Sequence, residues 1–376
     1  MPCHKRTNDY SHVLNNKKYK MTYKYSNTPP FTNALDDSRL DNAGIAPPTV
    51  SVIITNYNYG HYIIETLQSV CRQTYPHWEC IIVDDCSTDD SKDKINHFLR
   101  DPSTPAKKFQ FLERYQNGGQ MVAFMQGLNA SRGAFVMMLD ADDLLLEDFL
   151  DTHIRYHLGP WPVAFTSSNQ YQINGKDEVI CGDHADLQAK GEVQYISHAT
   201  FQKGYWIWAT ASSMVFRSDI LKLILPSNGA PFSICADYYM AHFSNLIGNS
   251  LLIPTIHGCY RRHGQNNFGS HPVLGGINSV GDLAKHPPHD DFRKAMVNHI
   301  IENYDRFQAI LTPKGFLNFL FRLLSYKESQ IVFDNKDLFK EKKLFYKKLY
   351  IEFRLKRLWI PKLFKKICYA EELRTK

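Results

Sequence analysis

Residues 135–149 read FVMMLDADDLLLEDF, an apolar run that stops on three acids within four positions and then returns to leucine. The run has the length and composition of a buried strand. Asp140, Asp142 and Asp143 at its end repel one another, and burying them uncompensated costs several kcal/mol or forces them to take up protons. A positive partner is expected at this strand end.

The same succession of elements occurs three times upstream. TVSVIITNYN, from Thr49, is a β-branched run ending in turn formers, followed by HYIIETLQSVCRQTY with Ile63, Ile64, Leu67, Val70 and Cys71 at helical spacing. WECIIVDDCSTDDS, from Trp78, repeats strand, acids and capping groups (Ser87, Thr88, Asp89) before a helix through Ile95, Phe98 and Leu99. A third strand over 109–113 leads through the turn QNGGQ to a helix over 121–130 and then to the opening stretch. After it, LLLEDFLDTHIRYH reads as a helix capped by Asp143. Strands alternating with helices predict an α/β protein with a mostly parallel sheet flanked by helices. Ligands in such sheets bind past the carboxyl ends of the strands. Three ends bring polar groups there: Thr55, Asn56 and Tyr57; Asp84 and Asp85; and Asp140, Asp142 and Asp143.

The 376 residues, 43% hydrophobic and 22% charged, allow a sizeable core in one large or two moderate domains. Eight cysteines stand singly, without CxxC or zinc spacing, and read as reduced, mostly buried thiols. No window approaches the roughly 18–20 apolar residues of a membrane span. The N-terminus has basic residues without an apolar segment behind them, so no secretory signal is expected. The protein is expected in the cytoplasm or on the cytoplasmic face of the inner membrane. Residues 1–48 are polar and close on Pro47 and Pro48, as a flexible leader does.

Three clustered carboxylates suit a hard divalent cation, Mg²⁺ or Mn²⁺, which takes oxygen ligands and often only one or two carboxylates when phosphate oxygens complete the shell. The glycine and glutamate positions of an EF-hand are missing. So are GxxxxGK[ST] and a GxGxxG after a strand, which removes the main support for kinase and dehydrogenase readings. Asn117, Gly118 and Gly119 form a turn that either approaches a ligand or is a plain loop.

In their order and spacing, VSVIITNYN, QSVCRQTYPHWECIIVDDCSTDDS and FVMMLDADD resemble the blocks of glycosyltransferase family 2, inverting nucleotide-sugar transferases of the A-type fold. The resemblance runs over about residues 49–269. It implies a nucleotide-sugar donor, UDP-linked by preference, a glycan or lipid-linked saccharide acceptor, and a divalent cation. It places Thr55, Asn56 and Tyr57 at the nucleobase, Asp85 as acceptor of a hydrogen bond from the base with Asp84 in support, and Gly119 near the nucleotide. Asp142 would be the principal ligand of the metal, with Asp140 toward the sugar, the ribose or the metal. SICADYYMAH resembles the family's Glu-Asp block and makes Asp237 the catalytic base, with Ala236 replacing the preceding acid. YRRHGQN makes His263 a metal candidate. Where family members often carry Ala-Arg-Asn, this chain has Ala123, Phe124 and Met125, so a cation is missing near the nucleotide. Lys203, Arg217, Arg261 and Arg262 are the candidates to replace it. Trp206 and Trp208 either stack on an acceptor sugar or pack in the core.

The resemblance divides the chain into the leader 1–48, a glycosyltransferase domain 49–275 (nucleotide-binding half 49–160, acceptor and base half 161–275) and a helical, basic extension 276–376. From Lys336 onward fourteen Lys and Arg stand against five Asp and Glu, although the whole chain has a net charge of only +6. Leu344, Phe345, Leu349, Phe353 and Leu358 form an apolar stripe that either packs on the domain or rests on an anionic membrane. No nucleic-acid module is recognisable, and no nucleic-acid partner is expected. The contrasting reading is a catalytically silent A-type domain that binds nucleotide or a partner. A sugar nucleotidyltransferase would open on a Gly-rich loop with Arg and Lys, which VSVIITNYN lacks.

Overall fold

A computed structural model describes residues 44–184, 186–189, 191–196, 206–264, 266 and 289–310. The apolar stripe and basic stretch after Lys336 lie outside the described residues, as do Lys203 and nearly all of the leader.

The first half is a repeated strand and helix unit: β1 (Val50–Asn56), α1 (Ile63–Cys71), β2 (Trp78–Asp84), α2 (Ser91–Arg100), β3 (Phe109–Glu113), α3 (Gln120–Ala130) and β4 (Phe135–Asp140). Then follow β5 (Leu144–Leu145), α4 (Phe149–His157), β6 (Phe165–Asn174), β7 (Val179–Cys181), β8 (Gln194–Ile196), β9 (Met214–Arg217), α5 (Ser218–Ile224), α6 (Ala236–Gly248), β10 (Ser250–Arg262), α7 (His289–Glu302) and α8 (Tyr304–Ile310). One sheet runs β3-β2-β1-β4-β9-β6-β10-β5, with β7 and β8 pairing at its side. The strands β3, β2, β1 and β4 are parallel, β9 is antiparallel between β4 and β6, and β10 is parallel to β6. This is the expected A-type arrangement, a mostly parallel sheet between helices.

The unbroken apolar strands follow from burial on both faces. Ile53, Ile81, Val83, Val136 and Met138 pack with α3, α5 and α6 on one side. Val52, Ile54, Cys80, Ile82, Met137 and Leu139 pack with α1 and α4 on the other. The alternation within each strand is the pleat itself. In the described part of the extension, Phe292, Met296, Val297, Ile300 and Phe307 enter the first of these cores. His299 Nε2 donates to the Leu223 carbonyl (2.8 Å) and Arg306 to that of Lys222 (2.9 Å), so α7 and α8 seal α5 and α6.

One expected element differs. The helix begins at Phe149, with Asp148 at its N-cap position, and the leucines before it form β5. Leu145 is buried and pairs with Gly258 of β10, while the Leu146 amide donates to the His257 carbonyl (2.8 Å). Pairing with β10 buries Leu145, and Leu144 and Leu146 are half-buried beside it. The detour holds the three acids between the ends of β4 and β10.

Candidate active site

At the end of β4, Asp140 Oδ1 accepts from Gln120 Nε2 (3.0 Å), and its amide donates to Ser212 Oγ (3.1 Å). Asp142 Oδ2 lies 2.9 Å from His263 Nε2. The His263 ring stacks on Tyr62 (5.0 Å between centroids) and meets Tyr59 edge-on at 5.7 Å. Asp143 points the other way: it is fully buried, accepts the Arg261 amide (2.9 Å), and its carbonyl accepts the Thr66 hydroxyl (2.9 Å). It braces the loop and caps no helix.

Burial, then the charges of Asp142 and Asp237, push the Asp140 carboxyl up to about 7, against a smaller lowering by the Gln120 amide. Burial, with Asp142 and Asp140, holds Asp143 well above the carboxylate range. The Tyr59 phenol is likewise raised by burial and by all three acids. The cluster carries more negative charge than its own partners neutralise.

Arg261 is a cation beside the cluster, and it is fully committed. Its buried guanidinium donates from Nε to the Asp142 carbonyl (2.7 Å) and from Nη2 to Glu65 (2.8 Å), pairs through Nη1 with Asp177, and lies 4.5 Å over the Tyr62 ring. It fixes the backbone beneath Asp142 and does not replace the missing cation. Arg262 donates to Gln172 (3.1 Å). Arg217 bonds the carbonyls of Val163 (3.0 Å) and His157 (3.1 Å), opposite Phe135 at the amino end of β4 and so remote from the acids.

A different arginine stands at the ends of β2 and β3. Asn56, Asp84 and Glu113 are level across β1, β2 and β3, and the next residue of β2, Asp85, is 3% exposed. Its carboxylate accepts from Arg114 Nε (2.7 Å) and from the amides of Gly118 (2.9 Å) and Gly119 (2.7 Å). Arg114 also donates from Nη1 to Gln126 (2.8 Å) on α3. Phe124, in the family's Arg position, is buried in the core. Arg114 was legible in the sequence as the residue following β3, by the same strand-end rule that marks Asp85. Asn56 and Asp84 sit behind the site: Asn56 Nδ2 donates to Asp84 (2.7 Å) and to Ser87 Oγ (3.1 Å), and the Ser87 amide donates to Asp84 (2.8 Å). Both are buried, whereas Tyr57 is exposed. Thr55, half-buried, is the register partner of Asp140.

Asp237 stands in the first turn of α6 and is close enough to Asp140 to raise its pKa. Trp208 is fully buried, its indole N–H donating to Ser250 Oγ (3.1 Å) and its ring against Phe165, Trp206 and His242. It packs in the core, one of the two readings that its residue type left open. Trp206 is half-buried and stacks on Tyr238, the neighbour of Asp237.

Backbone strain gathers here. Among the described residues, five non-glycine residues have positive φ, and four of them flank the site: Asn58 after β1, Cys86 after β2, Cys235 before α6, and Asp177 beside Arg261. Such conformations cost about 1 kcal/mol or more each and cluster where loops serve function. Among the described residues no group of three or more His, Cys, Asp and Glu is arranged to hold a metal ion.

Residues 51–200 match the family profile described as Glycosyl transferase family 2. The chain is 30% identical over 223 residues to an uncharacterized glycosyltransferase of Nostoc sp., covering 59% of this chain and 67% of that one. It is 37% identical over 109 residues to the putative teichuronic acid biosynthesis glycosyltransferase of Bacillus subtilis, covering 29% and 42%. It is 30% identical over 131 residues to the UDP-Glc:alpha-D-GlcNAc-diphosphoundecaprenol beta-1,3-glucosyltransferase of Escherichia coli, covering 35% and 49%. The chain thus spans two thirds of the first relative's length and under half of the other two.

Proposed function

The chain belongs to glycosyl transferase family 2, and we propose that it is an inverting enzyme that moves a sugar from a UDP-linked donor to a hydroxyl of a glycan or lipid-linked saccharide. The observation that carries this reading is the meeting of Asp140, Asp142 and His263 at the end of β4 with the charge of Asp237. The Bacillus and Escherichia relatives, one named for teichuronic acid biosynthesis and one for transfer from UDP-Glc to a diphosphoundecaprenol-linked sugar, support an envelope polysaccharide as the product class.

The donor set fits Mn²⁺ or Mg²⁺ only in part. Asp142 and His263, with Asp140 beside them, supply fewer ligands than a protein-only site, as suits a cation whose shell is completed by diphosphate oxygens. Bound there, such a cation offsets the negative charge that grows on the departing diphosphate.

The remaining steps belong to the chain. Asp85, held by Arg114 and two glycine amides, accepts an N–H from the base beside the Tyr57 ring and Thr55, with Asn56 and Asp84 bracing from behind. The Asp237 carboxylate takes the proton of the acceptor hydroxyl as its oxygen bonds to the anomeric carbon, an effect worth roughly 10²- to 10⁴-fold in rate. The bond from that carbon to the phosphate oxygen breaks, and its electron pair leaves with the diphosphate. Attack from the face opposite the leaving group inverts the anomeric carbon. Trp206, stacked beside Asp237, offers a ring to the acceptor. Against the silent-module alternative stand the retained Asp85, Asp142, Asp237 and His263, although Ala236 replaces one acid of the family's block.

The basic stretch after Lys336 rests on the anionic cytoplasmic face of a membrane in this proposal, where a lipid-linked acceptor is found. Truncation before it should abolish sedimentation with anionic vesicles, and unchanged sedimentation would contradict the membrane role. For the reaction itself, the test is a panel of nucleotide sugars with Mn²⁺ or Mg²⁺ and a diphosphate-linked saccharide, read by nucleoside diphosphate release and by NMR of the new linkage. Metal-dependent release with inverted configuration is expected. A retained configuration, or no release from any donor, would overturn the reading.

A further inference from the structure

The turn Asn117 to Gln120 links Asp85, Asp140 and the start of α6, and Gln120 has no assigned role. Its backbone amide donates to the Ser233 carbonyl (3.0 Å), on the loop that leads into α6. Its side chain spans the remaining gap: Nε2 donates to Asp140 Oδ1 (3.0 Å), while Oε1 accepts the Ala236 amide (3.3 Å), one residue before Asp237. The two preceding glycines donate to Asp85. The turn is pressed against the loop so closely that a Cβ on Gly119 would meet the Ser233 Cα at 2.6 Å.

We propose that Gln120 is a positioning residue that sets the place of the Asp237 helix relative to Asp140, so that the proton acceptor and the donor-side acid are held in register. This rests on the reading of the site as a glycosyl-transfer centre. The physical argument lies in the amide itself: one planar group supplies a donor to a buried carboxylate and an acceptor to a helix N–H. No other residue type of that length offers both at once. The Ala236 amide is one of the first-turn N–H groups of α6 that lack a partner within the helix, and Ala236 is fully buried, so water does not replace Oε1 there. Loss of either end therefore acts on a different partner.

Two substitutions separate the ends. Gln120→Glu keeps an acceptor for Ala236 but places a carboxylate against Asp140. Gln120→Lys keeps a donor for Asp140 but leaves the Ala236 amide without an acceptor. With each variant shown to be folded by its melting temperature, KM for the donor and kcat are measured with the nucleotide sugar that the wild type turns over. Gln120→Glu should raise donor KM about tenfold with a smaller change in kcat. Gln120→Lys should lower kcat about tenfold without raising donor KM. A residue that merely stabilises the fold would move both parameters alike in both variants; that result, or wild-type values in both, overturns the inference while leaving the reaction intact. If the wild type turns over no donor, the reading of the site falls and the inference falls with it.

Discussion

A few side chains of similar chemistry do different work because their surroundings differ. Asp142 keeps a histidine partner and little else, whereas Asp143, next to it in sequence, is sealed inside by the Arg261 amide. Asp142→Asn should therefore cost at least about tenfold in Mn²⁺-dependent binding of UDP by titration calorimetry and leave the melting temperature nearly unchanged. Equal binding with and without the substitution would remove Asp142 from the metal. The two tryptophans divide in the same way. Trp208→Ala empties a buried site and should cost about 3–5 kcal/mol in urea denaturation. Trp206→Ala should cost about 1 kcal/mol, the order of one aromatic pair, and raise KM for the acceptor. The residue types alone could not separate these cases, because a DADD run and a WIW run show composition but not which way each side chain turns. Burial decides it, and burial is set by β5 and by strands distant in sequence.

At the element scale the legible part was the repeating unit. Strand, helix and carboxyl-end polar residues could be read off 49–140 because β1, β2 and β4 are largely apolar on both faces and each turn carries its own chemistry. The helix expected from Leu144 was misread because its leucines answer to β10, more than a hundred residues away. Arg261 shows the same limit. As a sequence feature it looked like a free cation, but in the fold it ties α1 through Glu65, the β6–β7 hairpin through Asp177, and the Asp142 carbonyl. Arg261→Met should lower stability by about 2–3 kcal/mol, below the extreme for a fully buried pair because both acids are half in water, and should weaken donor binding as the Asp142 loop relaxes. Unchanged donor affinity would show that the loop holds without it. At the turn before α3, Gly119 has φ +82 and no room for a Cβ, so Gly119→Ala should lower the melting temperature and donor affinity together.

Across the whole molecule, the sheet carries the site at one end and a set of neutral, buried histidines elsewhere. His153 is held well below its ordinary range and His157 at about 3, each chiefly by burial. Their depressed values stabilise the fold fully above the unfolded pKa near 6.5, and that contribution is lost as pH falls below it, at about 1.4 kcal/mol per unit for each histidine. Urea denaturation from pH 8 to pH 5 should show stability falling with acid, and the fall should be shallower by that amount in a His157→Gln variant. An unchanged slope would mean that His157 is protonated in the fold. In the described part of the extension, α7 and α8 close the core over α5 and over α6, the helix that carries Asp237. Asp237 is the residue proposed as the base. The most direct test pairs donor binding with turnover in Asp237→Asn: calorimetry with the UDP-sugar and Mn²⁺ should give wild-type affinity, while transfer to the acceptor falls by about 10² or more. Transfer at the wild-type rate, with the donor bound, would contradict the account.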